Sequence, residues 1–91
     1  MTDIIMLSAE CSVDVSDVVA VLDMDRATVS QELRLTLSRA EKAGRVVNAA
    51  VKLPKSLVFT KDGKIYISPL MAQTVRKRCG ERLNDFIHQG R

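Results

Sequence analysis

The stretch that decides the fold is Lys52–Arg78, which reads KLPKSLVFTKDGKIYISPLMAQTVRKR. It contains two runs rich in β-branched and aromatic residues, Ser56–Thr60 and Lys64–Ser68, with the turn signal Asp62-Gly63 between them. We expect a helix to begin at Ser68-Pro69, because serine caps helix N-termini and proline suits the first helical position. The stretch therefore predicts a β-hairpin followed directly by a helix.

The predicted helix after the hairpin carries an apolar stripe and a run of cations. Apolar residues recur at i+3 and i+4 spacing, which predicts one buried face and a helix that continues to about His88. The stripe consists of Met71, Val75, Cys79, Leu83, Phe86 and Ile87. The three consecutive cations Arg76, Lys77 and Arg78 sweep about 300° of a helix, so they cannot all point in one direction.

The upstream half is predicted to contain short strands and two helices. In chain order we expect strands at Ile4–Leu7 and Cys11–Val15, a helix at Asp17–Asp23, a break at Met24–Ala27, a helix at Thr28–Ala43 and a strand at Arg45–Val51. The first helix is inferred from Ser16 as its N-cap and from apolar residues almost all round. The second is inferred from the capping-box spacing of Thr28 and Gln31, and from Gly44 as its C-terminal glycine.

The order of these elements, β-β-α-α-β-β-β-α, predicts an α+β fold. We expect one small domain over residues 1–91, in which residues 79–91 form a helical extension or a tail. In the hairpin, Tyr66 alternates with Ile65 and Ile67 and is expected on the outward face. A chain of this size buries only about 60–65% of the surface that its unfolded form exposes, so oligomerisation would help to stabilise it.

The composition argues against several classes of function. Three aromatic residues are too few for base-stacking platforms. No apolar run approaches the ~20 residues that span a bilayer, and the acidic N-terminus is not typical of a secretory signal, so we expect neither a secretory signal nor a membrane partner. Cys11 and Cys79 are expected to be buried, reduced thiols. With no catalytic or metal-binding motif, we expect no enzyme activity, cofactor, metal or small-molecule substrate.

The charges of the chain are divided unevenly between its two halves. Residues 1–44 carry four Lys/Arg and eight Asp/Glu, a net charge of −4, whereas residues 45–91 carry ten Lys/Arg and three Asp/Glu, a net charge of +7. Such a division indicates either a basic face for a polyanion or an acidic face that docks on the basic face of a neighbouring subunit. Intermixing of the charges on folding is the third alternative.

The cations that could contact phosphates lie at the two edges of the opening stretch. Lys52 and Lys55 bracket a proline-containing loop before the hairpin, where a flexible stem lets each ammonium reach a phosphate as a point charge. The predicted DNA-binding residues are Lys52, Lys55, Arg76, Lys77 and Arg78, with Lys61 and Arg45 as further contributors. Lysines do not offer the bidentate fork that reads guanine, so we expect recognition of the DNA backbone and its shape.

The same stretch carries a family resemblance. The run PKSLVFTKDGKIYISPLMAQTVRKR, with VSDVVAVLDMD upstream, resembles the RemA/RemB family of bacterial extracellular-matrix regulators, and is closer to the RemB branch. The resemblance covers about residues 5–78. It implies a cytoplasmic regulator of transcription that binds double-stranded DNA as a ring-shaped homo-oligomer with a basic surface. The positions that match arginines of the family's DNA contacts are Lys52, Leu53 and, at the start of the first predicted helix, Asp17, and Lys55 matches a further basic position.

Two other functions remain open at this point. The chain could be an oligomeric scaffold or protein-interaction module without nucleic-acid binding, in which the acidic half docks head-to-tail on the basic half of the next subunit. It could also be a winged helix-turn-helix protein, with Thr28–Gly44 as recognition helix and a wing tipped by Lys61 and Lys64. The low net charge of that helix and the short helix before it argue against the winged fold.

Overall fold

The computed structural model describes residues 3–50 and 52–89, without the side chains of residues 27–29 and 81–89. Within them lie six strands, three α-helices and a 3₁₀ turn at Val15–Asp17. The strands are β1 (Ile4–Ser8), β2 (Cys11–Asp14), β3 (Val18–Asp23), β4 (Val46–Asn48), β5 (Ser56–Thr60) and β6 (Ile65–Ser68). The helices are α1 (Met24–Val29), α2 (Gln31–Lys42) and α3 (Ala72–Gln89).

The α+β fold class is confirmed, and the predicted order is matched once a further strand, β3, is placed before the helix pair. The predicted helix Asp17–Asp23 is wrong, because this segment forms the end of the 3₁₀ turn and then β3. The predicted break at Met24–Ala27 is also wrong, because α1 begins at Met24. A short run of valine and leucine fits a buried helix or a strand equally well, and pairing with β5 decides the matter here.

Two separate sheets form the β structure. β1 and β2 make an antiparallel ribbon, and the other four strands form a sheet in the order β3-β5-β6-β4. The predicted hairpin β5–β6 lies at its centre, with Gly63 in the turn at a φ of 84°. β4 lies parallel to β6 and is shorter than the predicted Arg45–Val51, the last residue of which lies outside the described residues.

The four-stranded sheet has a hydrophobic core on each face. One core joins Val58 of β5 to Val75 of α3 and to the buried residues of the β1–β2 ribbon. The other joins Leu57 and Ile65 to Ala40 of α2. Tyr66 packs against the first core, so its predicted outward position is wrong: both faces of the hairpin are covered.

The two ends of α2 correct one predicted helix-end signal and confirm another. α2 begins after Ser30, whose hydroxyl accepts a hydrogen bond from the Leu33 N–H (3.3 Å). The predicted cap, Thr28, falls within α1, and its side chain lies outside the described residues. Gly44 has a φ of 72° just after α2, as a left-handed C-terminal glycine requires.

The last helix begins later than predicted, at Ala72 rather than at Pro69. Ser68 instead accepts a hydrogen bond from the Leu70 N–H through its hydroxyl (3.0 Å), which closes a turn between β6 and α3. Ala72 and Val75 are buried, whereas Met71 is 57% exposed and does not belong to the buried stripe. The side chains of Leu83, Phe86 and Ile87 lie outside the described residues; the helical backbone itself continues beyond His88, as predicted.

Candidate functional site

The loop that carries Lys52 and Lys55 crosses one end of the four-stranded sheet. Because β6 lies between β4 and β5, the chain must pass the end of β6 to reach β5 from β4. Backbone hydrogen bonds fix the two ends of the crossing: Ala49 N–H donates to Ile67 O (2.8 Å) and Lys55 N–H to Ser68 O (2.9 Å). The side chains of Lys52 and Lys55 are exposed, as a contact with phosphates requires.

The surroundings of this loop are not uniformly basic. Lys55 shares a surface groove with the carboxylate-bearing residues Asp23 and Asp25, and with an apolar group of Met24, Leu53, Pro54 and Met71. Leu53 and Met71 are 65% and 57% exposed. The groove thus combines an exposed apolar patch with charges of both signs, which is a more ordinary composition for a protein contact than for a phosphate contact.

The three cations of Arg76–Arg78 point in different directions, as their spacing predicted, and two of them bind the protein itself. The Arg76 guanidinium donates a hydrogen bond to the carbonyl of Val21 (2.6 Å), on the side of β3 that has no neighbouring strand. The Arg78 guanidinium donates to the carbonyl of Met6 in β1 (3.3 Å). Lys77 is exposed between them. The two arginines therefore fasten α3 to the sheet and to the ribbon.

A second group of cations lies at the opposite end of the sheet, at the β5–β6 turn. The Arg45 guanidinium donates to the Gly63 carbonyl (2.6 Å), and Lys61 and Lys64 flank that glycine. The Lys61 N–H donates to the carbonyl of Asp17 (2.9 Å), which ties the turn to the start of β3. We call Arg45, Lys61 and Lys64 the hairpin-tip cluster. The sequence already places Lys61 and Lys64 in one turn, but it does not show that Arg45 lies beside them, which depends on the parallel pairing of β4 with β6.

The carboxylate of Asp62 is folded into the same turn. It accepts hydrogen bonds from the Thr60 hydroxyl and from the Lys64 N–H (3.2 Å), and lies 4.0 Å from the Lys64 ammonium. The hydrogen bond from Thr60, followed by that from Lys64, holds the pKa of Asp62 below its ordinary value. The acid thus stabilises the turn and neutralises part of the charge of Lys64.

The described residues offer little for chemistry. Cys11 and Cys79 are free and only partly buried, less than predicted, and both pack against the core beneath α3. Burial raises the pKa of both thiols, which favours the protonated, less nucleophilic form. No group of three or more potential metal ligands occurs among these residues, and none of their helices is long and apolar enough to cross a membrane.

Comparison with known proteins identifies the family of the chain. No curated protein matches it. The pattern of the RemA-like family, described as extracellular matrix regulatory protein A-like, matches residues 4–79, which include both sheets, α1, α2 and the first half of α3. The loop that carries Lys52 and Lys55, the hairpin-tip cluster and the cations Arg76–Arg78 all fall inside the match. The chain therefore belongs to the RemA-like family of extracellular matrix regulatory proteins.

Proposed function

We propose that this chain is a DNA-binding regulator of transcription, closest to the RemB branch, that acts in the cytoplasm as a ring-like homo-oligomer and holds the backbone of double-stranded DNA. The observation that carries the proposal is the exposure of Lys52 and Lys55 on a loop whose ends are fixed by hydrogen bonds to β6. Hydrogen bonds at the two ends of the loop lower the backbone entropy that a phosphate contact would cost. Membership of the RemA-like family supports a regulatory role.

The division of charge supports contact with a polyanion. Residues 45–91, which supply the crossing loop and the hairpin-tip cluster, carry a net charge of +7. A single subunit offers few phosphate contacts, and a ring would repeat them along one duplex and raise the overall affinity by avidity. Within the Arg76–Arg78 run, Lys77 is the better candidate, because both arginines already donate hydrogen bonds to strand carbonyls.

The alternative is an oligomeric scaffold without nucleic-acid binding, and the groove beside Lys55 favours it. Leu53 and Met71 expose apolar surface next to Asp23, and a second subunit would cover such a patch most simply. The same contact also serves a DNA-binding ring. Oligomerisation is therefore common to both proposals, and DNA binding separates them.

The test is a titration of a labelled duplex of roughly 20 to 30 base pairs, followed by fluorescence anisotropy at several salt concentrations. We expect the wild-type protein to bind, with the logarithm of the affinity falling linearly with the logarithm of the salt concentration. In K52Q/K55Q the slope should become shallower by about 0.9 for each phosphate that is no longer neutralised. Native mass spectrometry of the same samples should show a closed oligomer for both proteins.

The matched control removes two positive charges elsewhere. Arg26 and Arg34 are both exposed and belong to α1 and α2. R26Q/R34Q should keep the slope of the wild-type protein. If no duplex binds at low salt while the oligomer persists, the scaffold is the correct function.

A further inference from the structure

We propose that the hairpin-tip cluster is a second phosphate-binding site, with Arg45 and Lys61 as its principal cations. The inference rests on the proposed DNA-binding function and extends it to the other end of the sheet. Hydrogen bonds hold two of these residues at the turn. The Arg45 guanidinium donates to the Gly63 carbonyl at 2.6 Å, and the Lys61 N–H donates to the carbonyl of Asp17 at 2.9 Å.

Arg45 keeps most of its hydrogen-bonding capacity. A guanidinium has five N–H donors, and Gly63 accepts from Nη1, so further donors stay available for a phosphate. The contact holds the planar group in one orientation, which lowers the entropy that binding a phosphate would cost. Gly63 makes the approach possible: a Cβ there would lie 3.1 Å from the Arg45 Nη1, and its φ of 84° also favours glycine.

The charge balance of the tip favours an anion. Arg45, Lys61 and Lys64 are all exposed, and the acidic residues of the same region are Asp62 in the turn and Asp17, whose backbone carbonyl accepts from the Lys61 N–H. Asp62 directs its bonded oxygen inward to Thr60 and neutralises Lys64 in part. Asp17 is exposed and its backbone is hydrogen-bonded to that of Lys61, so its negative charge lowers the positive potential of this region. Arg45 and Lys61 thus remain as the main cations of the cluster.

The two ends of the sheet lie at a separation that DNA can use. Lys55 immediately precedes β5 and Lys61 immediately follows it. The extended chain between them spans roughly 20 Å, at about 3.3 Å for each residue step. That distance corresponds to the rise of about six base pairs along the axis of a DNA duplex, at roughly 3.4 Å for each. Adjacent subunits of an oligomer could also bring the two ends together on one duplex.

The experiment compares R45Q/K61Q with wild-type protein and with R26Q/R34Q, which removes the same number of charges. We expect R45Q/K61Q to flatten the salt dependence by about 0.9 for each phosphate that is no longer neutralised, and R26Q/R34Q to leave it unchanged. Lys61 has an exposed side chain in a turn, so K61Q alone keeps the fold and should still weaken binding. If the wild-type protein binds DNA and both R45Q/K61Q and K61Q keep its salt dependence, the hairpin-tip site is wrong and the proposed function is unaffected.

A variant that gains affinity completes the test. D17N removes the negative charge of a residue whose backbone is hydrogen-bonded to that of Lys61, and it should tighten DNA binding because the local positive potential rises. An affinity for DNA that is the same in D17N as in the wild-type protein would count against the hairpin-tip cluster as a phosphate-binding site. If the wild-type protein binds no duplex at low salt, both this site and the proposed function are wrong. If only K52Q/K55Q loses binding, the proposed function is correct and the hairpin-tip cluster is not a phosphate-binding site.

Discussion

Replacing Arg76 by alanine should destabilise the protein, although the sequence alone indicates only a cation on the surface of a helix. Its guanidinium donates a 2.6 Å hydrogen bond to the Val21 carbonyl on the open side of β3. Hydrogen bonds from charged groups contribute about 1.5–3 kcal/mol when buried. Arg76 is exposed, and water can replace it at the carbonyl, so we expect a loss of about 1 kcal/mol.

The neighbouring Lys77 supplies the matched control. It carries the same charge on the same turn of α3 and is exposed, so K77A should change the free energy of unfolding by no more than about 0.5 kcal/mol. For a domain of this size, about 1 kcal/mol lowers the melting temperature by roughly 4–8 °C. Urea and thermal unfolding followed by circular dichroism, at one fixed protein concentration, measure both variants. Equal stabilities of R76A and K77A would refute the role of Arg76 as a fastening between α3 and β3.

Three further predictions concern glycines, thiols and the turn acid. G80A should stabilise the protein by about 0.5–1 kcal/mol and G44A should destabilise it, because an added Cβ meets nothing within 4 Å at either position but Gly44 alone has a φ of 72°; chemical denaturation gives both signs, and equal signs would contradict the argument. Cys11 and Cys79 should react with iodoacetamide at pH ~8 more slowly than in urea-unfolded protein, because burial raises the pKa of both thiols; equal rates would show that neither thiol is protected. The lowered pKa of Asp62 should stabilise the fold above pH ~4, and this contribution should fade as the pH falls through the folded-state pKa; a stability difference between wild type and D62N that does not shrink as the pH falls below ~4, measured by thermal unfolding, would rule this out.

The central hairpin could be predicted because its signals are local. Asp62-Gly63 marks the turn, and β-branched residues flank it within a few positions. The same holds for Gly44, which ends α2 in the left-handed conformation that its sequence position suggests. These elements depend on a handful of neighbouring residues, and distant parts of the chain do not alter them.

β3 was mispredicted because its signal is not local. The residues Val18–Asp23 do not alternate strictly between apolar and polar, so periodicity cannot separate a buried helix from a strand. The decision comes from pairing with β5, as in the register of Val21 with Val58. Tyr66 was misplaced for a related reason: the sequence does not show that both faces of the sheet are covered.

The candidate site was predictable in its residues but not in its arrangement. Lys52 and Lys55 are exposed on a loop, as expected. The bond between Arg76 and Val21 joins residues 55 positions apart, and that between Arg45 and Gly63 joins residues 18 apart. Contacts between residues so far apart in the chain follow from the strand order, and the periodicity of the sequence does not indicate that order.

The strand order also constrains the timing of folding. β3 pairs with β5, and β4 pairs with β6, so neither β3 nor β4 has a partner strand among the residues that precede β5. During synthesis, both remain without partners until the ribosome has delivered residues 56–68. Non-local pairings of this kind slow folding and expose unpaired strand edges in the meantime. The hairpin is thus the element on which the sheet assembles, and substitutions that delay its formation should promote aggregation of nascent chains before they alter any contact of the finished protein.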